Sequence, residues 1–178
     1  MRRHSLVTLA LCALLAIASP SAPACWDDAA QRSGVSADLL TAIARVESNL
    51  NPYALNRSHL QRTGSYDIGL MQINSRLLPI LAHHGIREAD LLEPCTNIRV
   101  GAWLLADLFA RMGATWEAVG AYNAACTRIK PEACRKVRSQ YAWRVYRRIT
   151  PRGKTDSRIA TLPVADLSPT LLAVRVAP

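Results

Sequence analysis

The chain has 178 residues, half of them hydrophobic, and 22 Lys and Arg against 13 Asp and Glu, a formal charge of +9. That length suits one ordinary domain with a single core, and the basic excess suits an anionic partner. No Cys-x-x-Cys pair, Gly-rich phosphate loop or Asp-rich metal loop occurs, so neither a metal nor a cofactor is implied.

Arg2 and Arg3 precede an apolar run over 6–18. Pro20 follows, and Ala22 and Ala24 stand where a processing enzyme wants small residues. Residues 1–24 therefore read as a secretory signal peptide, which places the protein in the periplasm or otherwise outside the cytoplasm. No later segment is long and apolar enough to cross a bilayer. Cys12 leaves with the leader, and Cys25, Cys95, Cys126 and Cys134 remain. An even number in an exported chain predicts two disulfides with three possible pairings. Cys126 and Cys134 can close a local loop; Cys25 with Cys95 would then pin the N-terminus to the middle of the domain.

The pattern is mostly helical, in short pieces. Residues 27–33 predict a helix stopped by Gly34. Ser36 predicts an N-cap, and the helix after it carries Leu40, Ile43, Ala44 and Glu47 on one face before Asn51-Pro52 ends it. Residues 56–74 read as turns with one or two short strands and no helix. A short helix over 79–84 stops at Gly85, and another turn lies around 88–92. Thr96 predicts the cap of a helix with the stripe Ile98, Ala102, Leu105, Phe109 and Met112, stopped by Gly113. Thr115 caps a helix over 116–122. Pro131 opens a last helix with Cys134, Val137, Tyr141, Val145 and Ile149 on one face and six basic residues on the other. The domain thus spans 25–150, and 151–178 read as a flexible C-terminal tail.

Glu47 stands out along this chain. It shares a face with apolar residues and lies near a helix C-terminus. Burial and the helix dipole both favour its neutral form. A carboxyl kept protonated near neutral pH is what donating a proton to a glycosidic oxygen requires. The plainer reading is a surface ion pair with Arg45 or Arg57.

The neighbouring motifs decide between the two. Glu47-Ser48 is followed by Gly69-Leu70-Met71-Gln72-Ile73 and then by Ala121-Tyr122-Asn123. Three such motifs in this order resemble the lytic transglycosylase domain of the lysozyme-like superfamily. The segment Leu91-Leu92-Glu93-Pro94-Cys95-Thr96-Asn97-Ile98-Arg99-Val100-Gly101-Ala102-Trp103 and the Cys just after the leader are similar to the small transglycosylases of type III and type IV secretion, conjugation and pilus systems. The resemblance implies a mainly α, lysozyme-like domain with a small irregular sheet, acting on the glycan strands of peptidoglycan. Components of a secretion, conjugation or pilus apparatus are its implied partners.

Residue by residue, the resemblance implies that Glu47 is the single acid and base. Ser48 lies beside it and orients the carboxyl or a sugar. Met71 and Gln72 face Glu47 and line the saccharide groove. Tyr122 stands near the carboxyl, and Asn123 contacts substrate. The implied reaction forms a 1,6-anhydromuramoyl end. A hydrolytic lysozyme would use a second carboxylate, for which Asp67 is the nearby candidate. A cell-wall-binding assembly factor without catalysis would not need Glu47. Nucleic-acid binding would rest on charge alone, and the leader argues against it.

Overall fold

The computed structural model describes residues 22–127 and 129–149, with side chains from Cys25 onward. The expected leader lies outside the described residues except for the backbone of 22–24, and the expected tail lies wholly outside them. Among the described residues no helix is long and apolar enough to cross a membrane.

Among the described residues, seven α-helices surround one core, beside a small three-stranded sheet. Helix α1 (Ala22–Ser33) begins five residues before the predicted start and ends at Gly34, whose φ of 69° is left-handed. It packs along α5 (Pro94–Met112) and buries Trp26 and Ala29. Helix α2 (Ala37–Glu47) buries Leu40, Ala42, Ile43 and Ala44 completely. Ser36 holds its N-cap position, but the side chain forms no capping bond.

The sheet follows. Strands β1 (Leu55–Asn56), β2 (Asp67–Ile68) and β3 (Ile73–Asn74) pair antiparallel in that order, with Leu55 opposite Ile68 and Asp67 opposite Asn74. One helical turn, α3 (Leu60–Thr63), interrupts the stretch expected to hold no helix. It closes because Gly64 adopts φ 66° and returns its N–H to the Leu60 carbonyl, as a left-handed C-cap does. Helix α4 (Leu78–Ala82) and a 3-10 turn over Ala89–Leu92 lie where short helices were predicted.

Helix α5 is capped by Glu93 and not by Thr96. The Glu93 carboxylate accepts the Cys95 and Thr96 N–H groups at 2.9 and 2.6 Å. Pro94 fits the first helical position because its missing N–H is not needed there, so the helix starts three residues earlier than a Thr96 cap would place it. Thr115 caps α6 (Trp116–Asn123) through the Ala118 N–H. Helix α7 (Pro131–Tyr146) lies against α6 and α2. At Gly120 the α6 backbone meets Arg138 of α7 so closely that no Cβ would fit. The buried stripe of α7 is Cys134, Tyr141, Ala142 and Val145. Val137, expected on it, is exposed, because it stands on the same side as Arg144 and Gln140, where α7 opens to a surface depression.

Disulfides join Cys25 to Cys95 and Cys126 to Cys134, with Cα atoms 5.1 and 5.6 Å apart. The first locks α1 to the start of α5; the second closes the loop between α6 and α7. Mainly helical, with one small antiparallel sheet, the architecture is the class expected from the sequence.

Candidate active site

The site forms where the end of α2, the β2–β3 turn, the end of α6 and the middle of α7 converge. Glu47 is the last residue of α2. Asn49 and Leu50 after it take positive φ values of 54° and 65°, which turn the chain sharply away from the carboxyl. Neither arginine weighed as an ion-pair partner holds Glu47. Arg45 donates to the Arg148 carbonyl at 3.0 Å, and Arg57 lies over the Tyr66 ring.

The Glu47 carboxyl instead accepts the Tyr141 hydroxyl, 2.5 Å from Oε1. Burial pushes its pKa up from 4.5 to about 7. The Tyr141 hydrogen bond opposes that rise, the Asp67 charge adds to it, and the Arg144 charge opposes it. Burial, the Glu47 charge and their shared hydrogen bond hold the Tyr141 hydroxyl well above its ordinary pKa. It therefore remains a donor. Glu47 can hold and release one proton near neutral pH, which is the property general acid and base chemistry needs.

The remaining motifs are tied to this carboxyl by backbone contacts. Ser48 Oγ donates to the Leu70 carbonyl at 2.7 Å and accepts the Asn51 N–H at 3.1 Å. Its hydroxyl thus joins α2 to the β2–β3 turn and does not touch Glu47. The Met71 side chain is fully buried against Gly101 of α5, where a Cβ would collide with it. What Met71 offers the site is its carbonyl, which accepts the Tyr122 hydroxyl at 3.0 Å. Gln72 has φ 50° and donates from Nε2 to the Gly69 and Ala54 carbonyls. Burial, then the Glu47 and Asp67 charges, raises the Tyr122 pKa well above its ordinary value. Asn123 ends α6 with its side chain exposed. Arg138 fixes the chain just beyond, donating to the Ala124 carbonyl at 3.0 Å and to Glu117 at 3.0 Å.

Further side chains hold the site, two of which, Tyr141 and Asn97, carry no assigned role in the sequence motifs. Spacing alone puts Tyr141 on the apolar stripe of α7; the signal it carries is that a hydroxyl buried at that position needs a partner. Asn97 is fully buried in α5. Its amide donates to the Ile68 and Leu91 carbonyls at 3.0 and 2.7 Å and accepts the Met71 N–H at 2.7 Å. It is the bolt of the β2–β3 turn. Gly69 at that turn, with φ 75°, leaves no room for a Cβ beside the Asn97 amide. Asp67 is engaged on both oxygens, by His59 Nε2 at 2.7 Å and by Asn74 Nδ2 at 2.7 Å. Among the described residues no group of three His, Cys, Asp or Glu side chains could hold a metal ion.

Comparison with known proteins agrees with this geometry. The transglycosylase SLT domain model matches residues 24–143. The chain is 42% identical over 126 residues to the invasion protein IagB of Salmonella typhimurium, covering 70% of this chain and 76% of that protein. It is 40% identical over 125 residues to protein IpgF of Shigella flexneri, covering 70% and 78%. A peptidoglycan-binding-like protein of Escherichia coli O157:H7 is 37% identical over 160 residues, covering 87% and 93%. A matched stretch that holds Glu47, Tyr122 and Tyr141, with relatives covered over most of their length, leaves one reading of the lineage: the chain belongs to the transglycosylase SLT domain family.

Proposed function

We propose that this protein cleaves the bond between N-acetylmuramic acid and N-acetylglucosamine in peptidoglycan and leaves a 1,6-anhydromuramoyl end. The observation that carries the reading is the Glu47 carboxyl, raised to a pKa of about 7 and held by Tyr141. Glu47 donates its proton to the glycosidic oxygen as the bond to the muramoyl C1 breaks. The substrate's N-acetyl oxygen steadies the positive charge at C1. Glu47, now a carboxylate, removes the proton of the muramoyl C6 hydroxyl, and O6 closes on C1. One residue serves as acid and then as base, and no water is consumed. Met71 and Gln72 form the turn facing the carboxyl, Ser48 keeps that turn against α2, and Asn123 meets the sugar at the exposed end of α6.

Asp67 gives hydrolysis a specific footing as a second reading, because its charge reaches Glu47. Both its oxygens are already occupied by His59 and Asn74, which favours the anhydro route. Mass spectrometry of released muropeptides separates the two: anhydro products are one water lighter than hydrolytic ones. Glu47→Gln is expected to release essentially none. Cleavage by that variant at the wild-type rate would overturn the assignment.

The cellular reading follows the domain layout 1–24 leader, 25–150 enzyme and 151–178 tail. Two disulfides suit an oxidising, exported location. A relative named as an invasion protein supports local opening of the wall for a secretion, conjugation or pilus apparatus.

A further inference from the structure

The side of α7 away from Glu47 carries features that the catalytic reading leaves unused. Trp116, Glu117, Ser139, Ala142, Trp143 and Tyr146 line a depression of about 330 Å³. Its three aromatic rings are large and exposed: Trp143 at 57%, Tyr146 at 54% and Trp116 at 44%. They are also ordered against one another. The Tyr146 ring stands edge-on to Trp116 at 5.5 Å and to Trp143 at 5.3 Å. Three aromatic side chains left at the surface contribute little to the core, and clustered exposed apolar area marks a binding surface.

Shape and lining point to a saccharide. A concave aromatic corner with a few polar groups is the usual make-up of a ligand site. Ring faces stack on the C–H faces of pyranoses, while the Ser139 hydroxyl and the second Glu117 oxygen, beside the one that Arg138 engages, offer hydrogen bonds to hydroxyl and N-acetyl N–H groups. A flat anionic bilayer fits less well, because the corner is concave and its lining offers no cation: Glu117, its charged residue, is paired with Arg138. A second depression, of about 420 Å³, adjoins the corner at Trp143 and runs to Asn123 and Arg144. The Arg144 charge reaches Glu47. Tyr141 and Trp143 are two residues apart, so they point roughly 200° apart around a helix about 10–12 Å across. The aromatic corner is thus a separate place from the carboxyl, reached around the exposed side of α7.

We propose that this aromatic corner is a second saccharide-binding site, which holds a glycan segment of peptidoglycan at a distance from Glu47 and keeps the enzyme on the wall. The proposal rests on the reading of peptidoglycan as substrate. Its test is co-sedimentation with purified sacculi, using Glu47→Gln protein so that nothing is cut. High ionic strength screens the general attraction of a basic chain. Trp143→Ala and Trp116→Ala, introduced singly, are each expected to weaken sacculus binding about tenfold, the effect of losing roughly 1.4 kcal/mol of stacking. Trp143→Phe, which keeps a flat ring, is expected to retain most of the affinity. Should Trp143→Ala fail to fold, Trp116→Ala on the opposite wall decides alone. Unchanged sacculus binding in the folded variants overturns the proposal. So does a loss confined to anionic phospholipid vesicles, or to self-association by light scattering, since either names a different occupant. Failure of the catalytic reading appears separately, as muropeptides released into the supernatant by Glu47→Gln, and is thereby told apart from a loss of binding by the Trp variants.

Discussion

A glutamate in water is ionised above pH 5, whereas Glu47 keeps its proton to about pH 7, because burial removes water from the carboxylate before Tyr141 and Arg144 can compensate. The acid step needs the protonated form, so activity is expected to fall as pH rises through about 7. Tyr141→Phe removes a hydrogen bond that favours the charged carboxylate. The alkaline limb of the kcat/KM profile on sacculi should therefore move to higher pH in that variant; a limb that moved lower would contradict the assigned role. The same shift affects stability. Folded Glu47 binds its proton more tightly than unfolded Glu47, so between pH 4.5 and about 7 the native state holds the extra proton. Stability then falls as pH rises through that window. Glu47→Gln carries no such dependence and should melt higher than wild type at pH 8, with the gap closing toward pH 4.5. A constant gap measured by thermal denaturation would deny Glu47 its raised pKa. From the sequence, the buried helix-end position of Glu47 was legible. Tyr141 was not, because spacing along α7 reports which face is buried and not what a buried hydroxyl meets 94 positions away in the sequence.

At the scale of elements, the site depends on the β2–β3 turn staying against α2 and α5. Two polar side chains hold it there: Ser48 at the Leu70 carbonyl and Asn97 at three backbone groups. Asn97→Ala leaves the Met71 N–H and the Ile68 and Leu91 carbonyls without that partner in a dry interior. Unmet buried groups cost about 1–3 kcal/mol each, and partial relaxation brings the expected total to roughly 3 kcal/mol. Urea unfolding should show this as a lower midpoint with an unchanged slope, and activity should fall with it as Met71 and Gln72 lose their fixed turn. A loss below about 0.5 kcal/mol would remove Asn97 from this role. The helices that carry most of the chain were readable because their apolar periodicity, Gly stops and Thr115 cap all agree. The misplaced features have local causes. Glu93 outcompetes Thr96 as a cap because Pro94 fits the first turn, and Gly64 lets a single turn of helix form inside a loop. The Met71 side chain, expected in the groove, fills the notch at Gly101, which has no Cβ to exclude it.

Over the whole molecule, the two disulfides constrain the chain on very different scales. Cys25 and Cys95 are 70 residues apart, Cys126 and Cys134 only 8. A cross-link stabilises chiefly by removing freedom from the unfolded chain, and the effect grows with the logarithm of the loop length. On that model the long link contributes about 4 kcal/mol and the short one about 2.5 kcal/mol. The long link also holds α1 on α5, the pair that buries Trp26 and Ala29 at the back of the core. Removing it as Cys25→Ser with Cys95→Ser is expected to lower the unfolding midpoint more than removing Cys126 and Cys134 as serines. Catalysis should show the opposite order under conditions where both variants are folded. The short link closes the loop that follows Asn123 and precedes α7, so its loss is expected to loosen the exposed end of α6, where the proposed function puts a sugar contact. KM on sacculi should then rise in the Cys126→Ser, Cys134→Ser protein and stay near wild type in the other. If both variants lost stability equally and neither changed KM, the disulfides would be interchangeable staples with no bearing on the site.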